Sequence, residues 1–380
     1  MPKKLVFSVI ITLLLASMLT LAFNVCRVGA DGLISIMADG SVQGTTYIQT
    51  TDNVTYFLTA DIHGAIEVWR DNIILDGHGY TVEDFFGTQP GITLENRTNV
   101  RIQNVHVDDH YYSIFLQFSS NNTISRCKVT SASIEIEFSS NNIISGNDIS
   151  GSGYGYVIAL LESDNNSIYG NTFNSGGIGV YSSNHNNIFG NRIVGAETAI
   201  LLTSRYVDGL KFSSNNTIFG NNIENNSIGV DIESTSNNTL YHNNFINNTR
   251  QVYVTPNYAA FWDHDYPSGG NYWSDYNGTD SQSGPYQNET GSDGIGDTPY
   301  TIDGNNTDRY PLMHPFVPLL GDLNQDGRVD ILDAIQAAAC FGSVPGDLRW
   351  NPLADLNKDN VINILDVIIL AQNFGKTWQP

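Results

Sequence analysis

Between about Phe57 and Phe245 the chain alternates aliphatic and polar residues with a period of two, in short runs broken by polar turns. Ile114, Leu116 and Phe118 form one run; Ile134, Ile136 and Phe138, then Ile178 and Val180, then Ile228, Val230 and Ile232 form others. A period of two sends successive side chains to opposite faces of an extended strand, so each run predicts a strand with one buried face. No helical pattern lies between the runs.

The turns repeat as well. Asn-Asn-Thr-Ile at 121–124 returns as Asn-Asn-Ile-Ile at 141–144, Asn-Asn-Ser-Ile at 165–168, His-Asn-Asn-Ile at 185–188, Asn-Asn-Thr-Ile at 215–218 and Asn-Asn-Thr-Leu at 237–240. Gly146-Asn147, Gly170-Asn171, Gly190-Asn191 and Gly220-Asn221 follow at a fixed offset, and Val129, Ile149, Phe173, Ile193, Ile223 and Phe245 close the copies. Self-similarity at a period of roughly 20–30 residues denotes a solenoid. Strands without intervening helices stack most economically as an all-β right-handed parallel β-helix, each coil burying its aliphatic residues and pairing its backbone with the next. Asparagine suits the turns because it tolerates left-handed backbone and bonds its own chain or a stacked partner. This assigns the Asn-Asn-Thr sequons to a ladder ahead of a sugar-carrying role.

The C-terminal region changes character. Asp322, Asn324, Asp326, Gly327, Asp330 and Asp333 form an oxygen-rich loop that recurs as Asp355, Asn357, Asp359, Asn360, Asn363 and Asp366. Side-chain oxygens at loop positions 1, 3, 5, 9 and 12, with the backbone carbonyls of Arg328 and Val361 at position 7, match what calcium requires. Position 6 needs positive φ, which Gly327 adopts freely and Asn360 tolerates. Each loop runs into an amphipathic helix ending at glycine: Ile331, Leu332, Ile335, Ala338, Phe341, Gly342, and Ile364, Leu365, Ile368, Ala371, Phe374, Gly375. This segment resembles a dockerin, a small α-helical module that attaches secreted proteins to a cohesin-type domain. The resemblance implies calcium as cofactor and a cohesin-type partner, with Ile331, Leu332, Ile364 and Leu365 at the recognition positions. Two departures stand out: Asn360 replaces the usual glycine, and large apolar pairs stand where many dockerins have small hydroxyl residues. Part of each pair should pack between the two helices, which makes Leu332 and Leu365 the expected core residues and leaves Ile331 and Ile364 for the contact.

Lys3 and Lys4 before an apolar run from Leu5 to Phe23, with Val28-Gly29-Ala30 as a cleavage site, read as a secretory signal; an uncleaved N-terminal anchor is the alternative. The expected location is extracellular or cell-surface. A formal charge of -22 excludes nucleic acid, whose phosphates need a basic face. Of the three cysteines, Cys26 falls in the leader, and Cys127 and Cys340 fall in different modules, so no disulfide framework is indicated.

The repeat phrase, together with Leu75-Asp76-Gly77-His78-Gly79, resembles the NosD and pectate-lyase-like β-helix families. Those families include polysaccharide lyases, glycoside hydrolases, epimerases, accessory proteins of copper delivery and surface proteins without known activity. The resulting organisation is a signal at 1–30, β-helix at 31–257 (repeats clearest at 91–250), an aromatic Gly/Asp-rich cap and linker at 258–318, and a dockerin at 319–380. In the cap, Trp262 and Trp273 offer either an edge cover or sugar platforms, and Asp293, Asp297 and Asp303 a further calcium site.

Candidate chemistry is sparse. Glu135 and Glu137 alternate outward on one strand, separated by about 6.5–7 Å at Cα, within the range of inverting glycosidase carboxylates. Phe115 and Gln117 on one side and Ala159 and Leu161 on the other make this pair a solvated acidic stripe, in which Glu135→Ala should be nearly silent. Arg205, Asp208 and Lys211, in an insertion that makes its coil the longest, supply a base and a charge for lyase chemistry; Asp108-Asp109-His110-Tyr111-Tyr112 is a second excursion. Copper would want clustered imidazole and sulfur, whereas the eight histidines are scattered and only Met37 and Met313 lie beyond the leader. Two readings follow. One is a secreted β-helix that binds or degrades polysaccharide, as a lyase or a glycoside hydrolase, attached through the dockerin; the other is a noncatalytic surface solenoid or NosD-like copper-associated accessory protein.

Overall fold

A computed structural model describes residues 32–84, 89–151, 155–206, 210–323, 328–344, 347 and 349–377. The leader at 1–30, Asp208 and the loop positions Asn324, Asp326 and Gly327 lie outside the described residues, as does the side chain of Lys211.

The period-two runs form strands that coil into a right-handed β-solenoid. Three parallel ladders run along it. The longest contains Gly32–Ile36, Ile62–Val68, Ile92–Glu95, Ile114–Gln117, Ile134–Glu137, Tyr156–Leu161, Gly177–Tyr181, Thr198–Thr203, Ile228–Glu233 and Arg250–Val254. Its register is set by the core. Ile114, Ile134, Ile158, Ile178, Ile200 and Val230 stack in one inward row, and Leu116, Ile136, Leu160, Val180, Leu202 and Ile232 in the next, all without solvent exposure. A slip of one residue would turn every one of these side chains outward. The closing residues Val129, Ile149, Phe173, Ile193, Ile223 and Phe245 form another buried row, in the third ladder.

Phe118 and Phe138 depart from the alternation. Both are exposed and adopt positive φ (49° and 48°), so the chain turns where the pattern alone would extend the strand, and their rings stack on each other at 5.2 Å.

The asparagines divide two tasks. The first of each pair takes the left-handed turn, as at Asn121, Asn141, Asn165, Asn215 and Asn237. The second is buried in a ladder running Asn122, Asn142, Asn166, Asn186, Asn216, Asn238, in which each Oδ1 accepts the backbone N–H of the preceding coil's asparagine. Asn147, Asn171, Asn191, Asn221, Asn243 and Asn271 form a second such ladder. Side chains thereby satisfy turn amides that water cannot reach. The ladder position is the middle residue of each sequon, while the sequon's own asparagine (Asn121, Asn165, Asn215, Asn237) is exposed. The expectation that the sequon asparagines themselves sit in the ladder is therefore corrected.

The C-terminal end of the solenoid is covered. Trp273 stacks on Phe245 of the last coils at 4.3 Å and on Tyr300 at 4.3 Å, and Trp262 lies beside it. Both indoles are buried. Their N–H groups donate to Asp308 Oδ2 and Asn306 Oδ1.

Beyond the cap stand two helices, α1 (Ile331–Ala339) and α2 (Ile364–Asn373), opened by Asp330 and Asn363 in matching capping boxes with Asp333 and Asp366. Gly342 and Gly375 follow them at positive φ. The halves are cross-clasped. Val329 donates to Lys376 O and accepts from Gly375 N–H, while Ile362 donates to Ser343 O and accepts from Gly342 N–H. Leu323, Val329, Ala337, Cys340, Ala354, Ile362 and Leu370 form their small core.

Candidate functional site

The polar side chains of the longest ladder lie at its outward positions, because the inward rows are wholly aliphatic. Glu135 pairs in register with Phe115 before it and Ala159 after it; Glu137 pairs with Gln117 and Leu161. Gln117 Nε2 donates to Glu137 Oε2 at 2.9 Å. On one flank the excursion at 108–112 brings Tyr112 onto Phe115 (5.4 Å between stacked rings) and Tyr111 edge-on against Tyr112 (4.5 Å). On the other flank lies Gly179, two coils on, where a Cβ would meet the Tyr181 ring at 2.6 Å and the Tyr156 ring at 3.0 Å. Those rings take the room a side chain would fill.

Glu135 therefore sits in a recess between aromatic walls. It is 9% exposed, and its carboxyl receives no hydrogen bond among the described residues. Burial, and then the charge of Glu137, push its pKa up to about 7, with Arg205 opposing. The expected solvated acidic stripe is thus corrected at Glu135. Alternation gave the direction of the side chain, but the rings that cover it come from a loop and from coils distant in sequence. Burial likewise raises the Tyr112 and Tyr181 phenols to about 12.

Arg205 reaches this neighbourhood through a small hairpin, Arg205–Tyr206 against Leu210–Lys211, anchored by Arg205 N–H donating to Ser182 Oγ at 2.8 Å. The structure thus brings Glu135, Glu137 and Arg205 within electrostatic reach of one another. Sequence reasoning missed Asp231, in the same outward row as Glu135. Its Oδ1 is buried without a partner among the described residues, and burial, then Glu233, raises its pKa to about 6. Four rungs separate it from Glu135, about 19 Å at the usual strand spacing. The two acids cannot serve one bond.

A second concave feature lies where Tyr169, Phe189 and Phe219 of another ladder face Leu319, Leu353 and Asp355, around a cavity of about 500 Å³. These rings and Tyr241 stack on one another at 4.9, 4.8 and 5.5 Å. The faces of Phe189 and Phe219 are spent on their neighbours in the stack. The signal for this ladder stood in the repeat phrase itself, as Ile-Tyr-Gly-Asn, Ile-Phe-Gly-Asn, Ile-Phe-Gly-Asn and Leu-Tyr-His-Asn. In the cap, Trp262 and Trp273 are interior residues, which removes the sugar-platform expectation. Asp293 accepts from Gly284 N–H, Asp297 from Ser281 and Gln282 N–H, and Asp303 from Asn305 N–H. Those carboxylates fasten turns.

In the second oxygen-rich loop, Asp355 accepts from the Asp359 and Asn360 N–H groups, and Asp366 from those of Asn357 and Asn363. Asn360 has φ 67°, the conformation its loop position requires. In the first loop Asp333 accepts from Leu323 and Asp330 N–H. Among the described residues no three His, Cys, Asp or Glu side chains are gathered as for a bound metal. The donor set of the second loop (Asp355, Asn357, Asp359, the Val361 carbonyl, Asn363, Asp366) is all oxygen and suits a hard cation.

Next to the loops, Ile331 and Leu332 on α1 are 61% and 51% exposed, and Ile364 and Leu365 on α2 are 58% and 51% exposed. Leu332 and Leu365 are not core residues, contrary to expectation. The buried stripe of each helix passes through Asp333 and Ala337, and through Asp366 and Leu370, leaving the apolar pairs outside. Ile335 and Ile368 extend each patch by one turn.

Comparison with known proteins adds a family. The family model described as "Periplasmic copper-binding protein (NosD)" matches residues 40–209 and 174–278. No curated protein matches the chain significantly. Among solved structures, an alginate lyase from Paenibacillus sp. str. FPU-7 is similar at 15% identity and TM-score 0.39, over 53% of this chain and 76% of that one. The tailspike protein of E. coli bacteriophage HK620, in complex with a pentasaccharide, is similar at 12% identity and TM-score 0.42, over 58% of this chain and 54% of its own, so the chain spans about half the tailspike's length. At that level each is a likeness in the course of the chain and says nothing of its chemistry.

The family description names copper, and the described residues do not fit it. His63 pairs with Glu83, His106 bonds Thr130, His242 Nε2 contacts the Ser268 carbonyl, and the buried thiol of Cys127 has its pKa pushed up to about 12 by burial. These imidazoles are engaged by carboxylate, hydroxyl and carbonyl oxygens, not by the clustered imidazole and sulfur that a soft ion selects. No described helix is long and apolar enough to cross a membrane. With more than half of its 380 residues matched by that model, the chain belongs to the NosD family.

Proposed function

We propose that this protein is an exported β-helix that engages polysaccharide along the outward face of its longest ladder and is attached, through a calcium-dependent dockerin-type module, to a cohesin-type partner. The observation that carries the reading is the pair of exposed apolar patches, Ile331-Leu332-Ile335 and Ile364-Leu365-Ile368, each opening directly after an oxygen-rich loop. Apolar groups so placed on an acidic module favour a binding surface over a solvated one. The polysaccharide half is supported by the aromatic-walled recess at Glu135, since ring faces and edges receive the apolar side of sugars. Calcium, held by Asp322, Asn324, Asp326, Arg328 O, Asp330 and Asp333 and by Asp355, Asn357, Asp359, Val361 O, Asn363 and Asp366, would neutralise the loop carboxylates and fix the helix starts.

The test uses the full chain. Melting is followed with calcium and with chelator, and capture is measured on a panel of immobilised cohesin-type domains in both conditions. Calcium at 100 times its Kd should stabilise the module by about 2.7 kcal/mol for each loop it fills, and capture should require it. Unchanged melting together with calcium-independent capture, or no capture at all, would overturn the attachment reading.

A further inference from the structure

We propose that Glu135 is the general acid, and Glu137 the general base, of a hydrolytic site for neutral polysaccharides; this rests on the polysaccharide reading above and deepens it. Three features of the recess converge. The Glu135 side chain is nine-tenths buried and unpartnered, between the Phe115 and Tyr112 rings on one side and the Tyr156 and Tyr181 rings on the other. The Glu135 oxygens stay in reach of water while the rings cover the rest of the side chain, the access a proton donor needs. Glu137 lies two residues along the same strand, oriented by Gln117, with about 6.5–7 Å between the two Cα atoms. A protonated carboxyl beside a second carboxyl on one strand face is the acid and base that direct attack by water, with inversion at C1, calls for.

The chemistry balances with water alone. The glycosidic oxygen takes the Glu135 proton as its bond to C1 breaks, and a water adds to C1 while Glu137 takes the water's proton. One proton leaves Glu135 and one arrives at Glu137, and solvent restores both. Burial keeps the Glu135 proton in place near neutrality.

The surrounding charge selects the substrate. Outward rows of this ladder carry Glu67, Glu95, Glu135, Glu137, Asp231 and Glu233. Against them stand Arg205 near Glu135 and Arg250, whose guanidinium lies over the Tyr253 ring. A uronate polymer would be repelled along its length, whereas a neutral chain meets hydroxyl-accepting carboxylates and aromatic rings. This favours hydrolysis of neutral glycan over lyase chemistry at Arg205, Asp208 and Lys211.

The experiment takes the full chain with calcium and five neutral polymers (xylan, mannan, galactan, mixed-linkage β-glucan and starch), with alginate and polygalacturonate as acidic counterparts. Affinity electrophoresis reads binding, reducing ends read cleavage, and proton NMR reads the anomer first formed. We expect cleavage of a neutral polymer with inversion, and an alkaline limb in the pH profile near 7. Glu135→Gln should slow it by about 10²–10⁴-fold and abolish that limb while melting no lower than the wild type. Glu137→Gln should lose cleavage while still being retarded by the neutral polymer. Retardation by a neutral polymer without cleavage would overturn the acid-base assignment and leave the glycan reading standing; neither retardation nor cleavage would overturn both. Unsaturated ends from the acidic polymers, or a Glu135→Gln rate within tenfold of wild type, would also overturn the assignment.

Discussion

The indole N–H of Trp273 donates to Asp308 Oδ2 at 2.9 Å, and neither residue is open to solvent. Asp308 also accepts from the Asn271 and Tyr310 N–H groups. One carboxyl thus joins the last asparagine of a ladder to the stacked tryptophan that seals the solenoid. Gly270 is required beside it, since a Cβ there would meet Asp308 Oδ1 at 1.9 Å. An end left open would expose strand edges, which natural sheets cover.

Burial raises the Asp308 pKa to about 7 against three donors that favour the ionised form. The folded chain therefore holds this proton more tightly than the unfolded chain. Its contribution to stability is whole below about pH 4, the ordinary carboxyl range, and is lost as pH rises to 7. Melting of the full chain should fall across that window, and Asp308→Asn should flatten the fall. An Asp308→Asn slope equal to that of the wild type would remove this residue from the explanation.

Ile136 and Glu135 are sequence neighbours with opposite prospects. Ile136 is fully buried between Leu116 and Leu160, so Ile136→Asp should cost about 4 kcal/mol or more by placing an unpaired charge in the core. Glu135→Leu should raise stability, and more at pH 8 than at pH 5, because the lone buried carboxyl is ionised only above about pH 7. Urea unfolding at both pH values separates the two. A Glu135→Leu variant less stable than wild type at pH 8 would show that the carboxyl has a protein partner after all.

The ladder asparagines and the turn asparagines should behave differently. Asn191 Oδ1 accepts from both the N–H and the Nδ2 of Asn171, and its own Nδ2 donates to Ile168 O. Asn191→Ala should therefore cost about 1–3 kcal/mol for each group left unsatisfied. Asn165 is exposed at φ 58°, and Asn165→Gly should change stability by less than about 0.5 kcal/mol. Equal losses in chemical denaturation would contradict the division of labour between the two positions.

Much of this fold was legible because burial in a solenoid is periodic. Ile114, Leu116, Ile134 and Ile136 announce both strand and inner face, and Val129, Ile149 and Phe173 repeat the message in the next ladder. What was not legible depends on contacts between coils. Phe118 looks like a third inward residue and is a turn. Glu135 looks solvated until Tyr112, Tyr156 and Tyr181 are brought to it from three other parts of the chain. The cross-clasp of Val329 with Gly375, and of Ile362 with Gly342, is equally invisible in a linear repeat, although the repeat spacing is what makes the two clasps equivalent.

That equivalence bears on attachment. The Ile331-Leu332 and Ile364-Leu365 pairs occupy matching places on α1 and α2, and all four side chains are at least half exposed. In the full chain, Ile331→Asp combined with Ile364→Asp should leave calcium uptake and melting unchanged, because neither side chain belongs to the small core of Val329, Ile362 and Leu370. Capture by a cohesin-type domain should fall by about 30- to 700-fold, the loss expected when two anchoring apolar contacts of about 1–2 kcal/mol each are removed. Each single variant should lose less than the double if the two helices share one contact surface. A single variant that loses as much as the double would assign recognition to that helix alone. Undiminished capture by the double variant would move the partner surface elsewhere on the module.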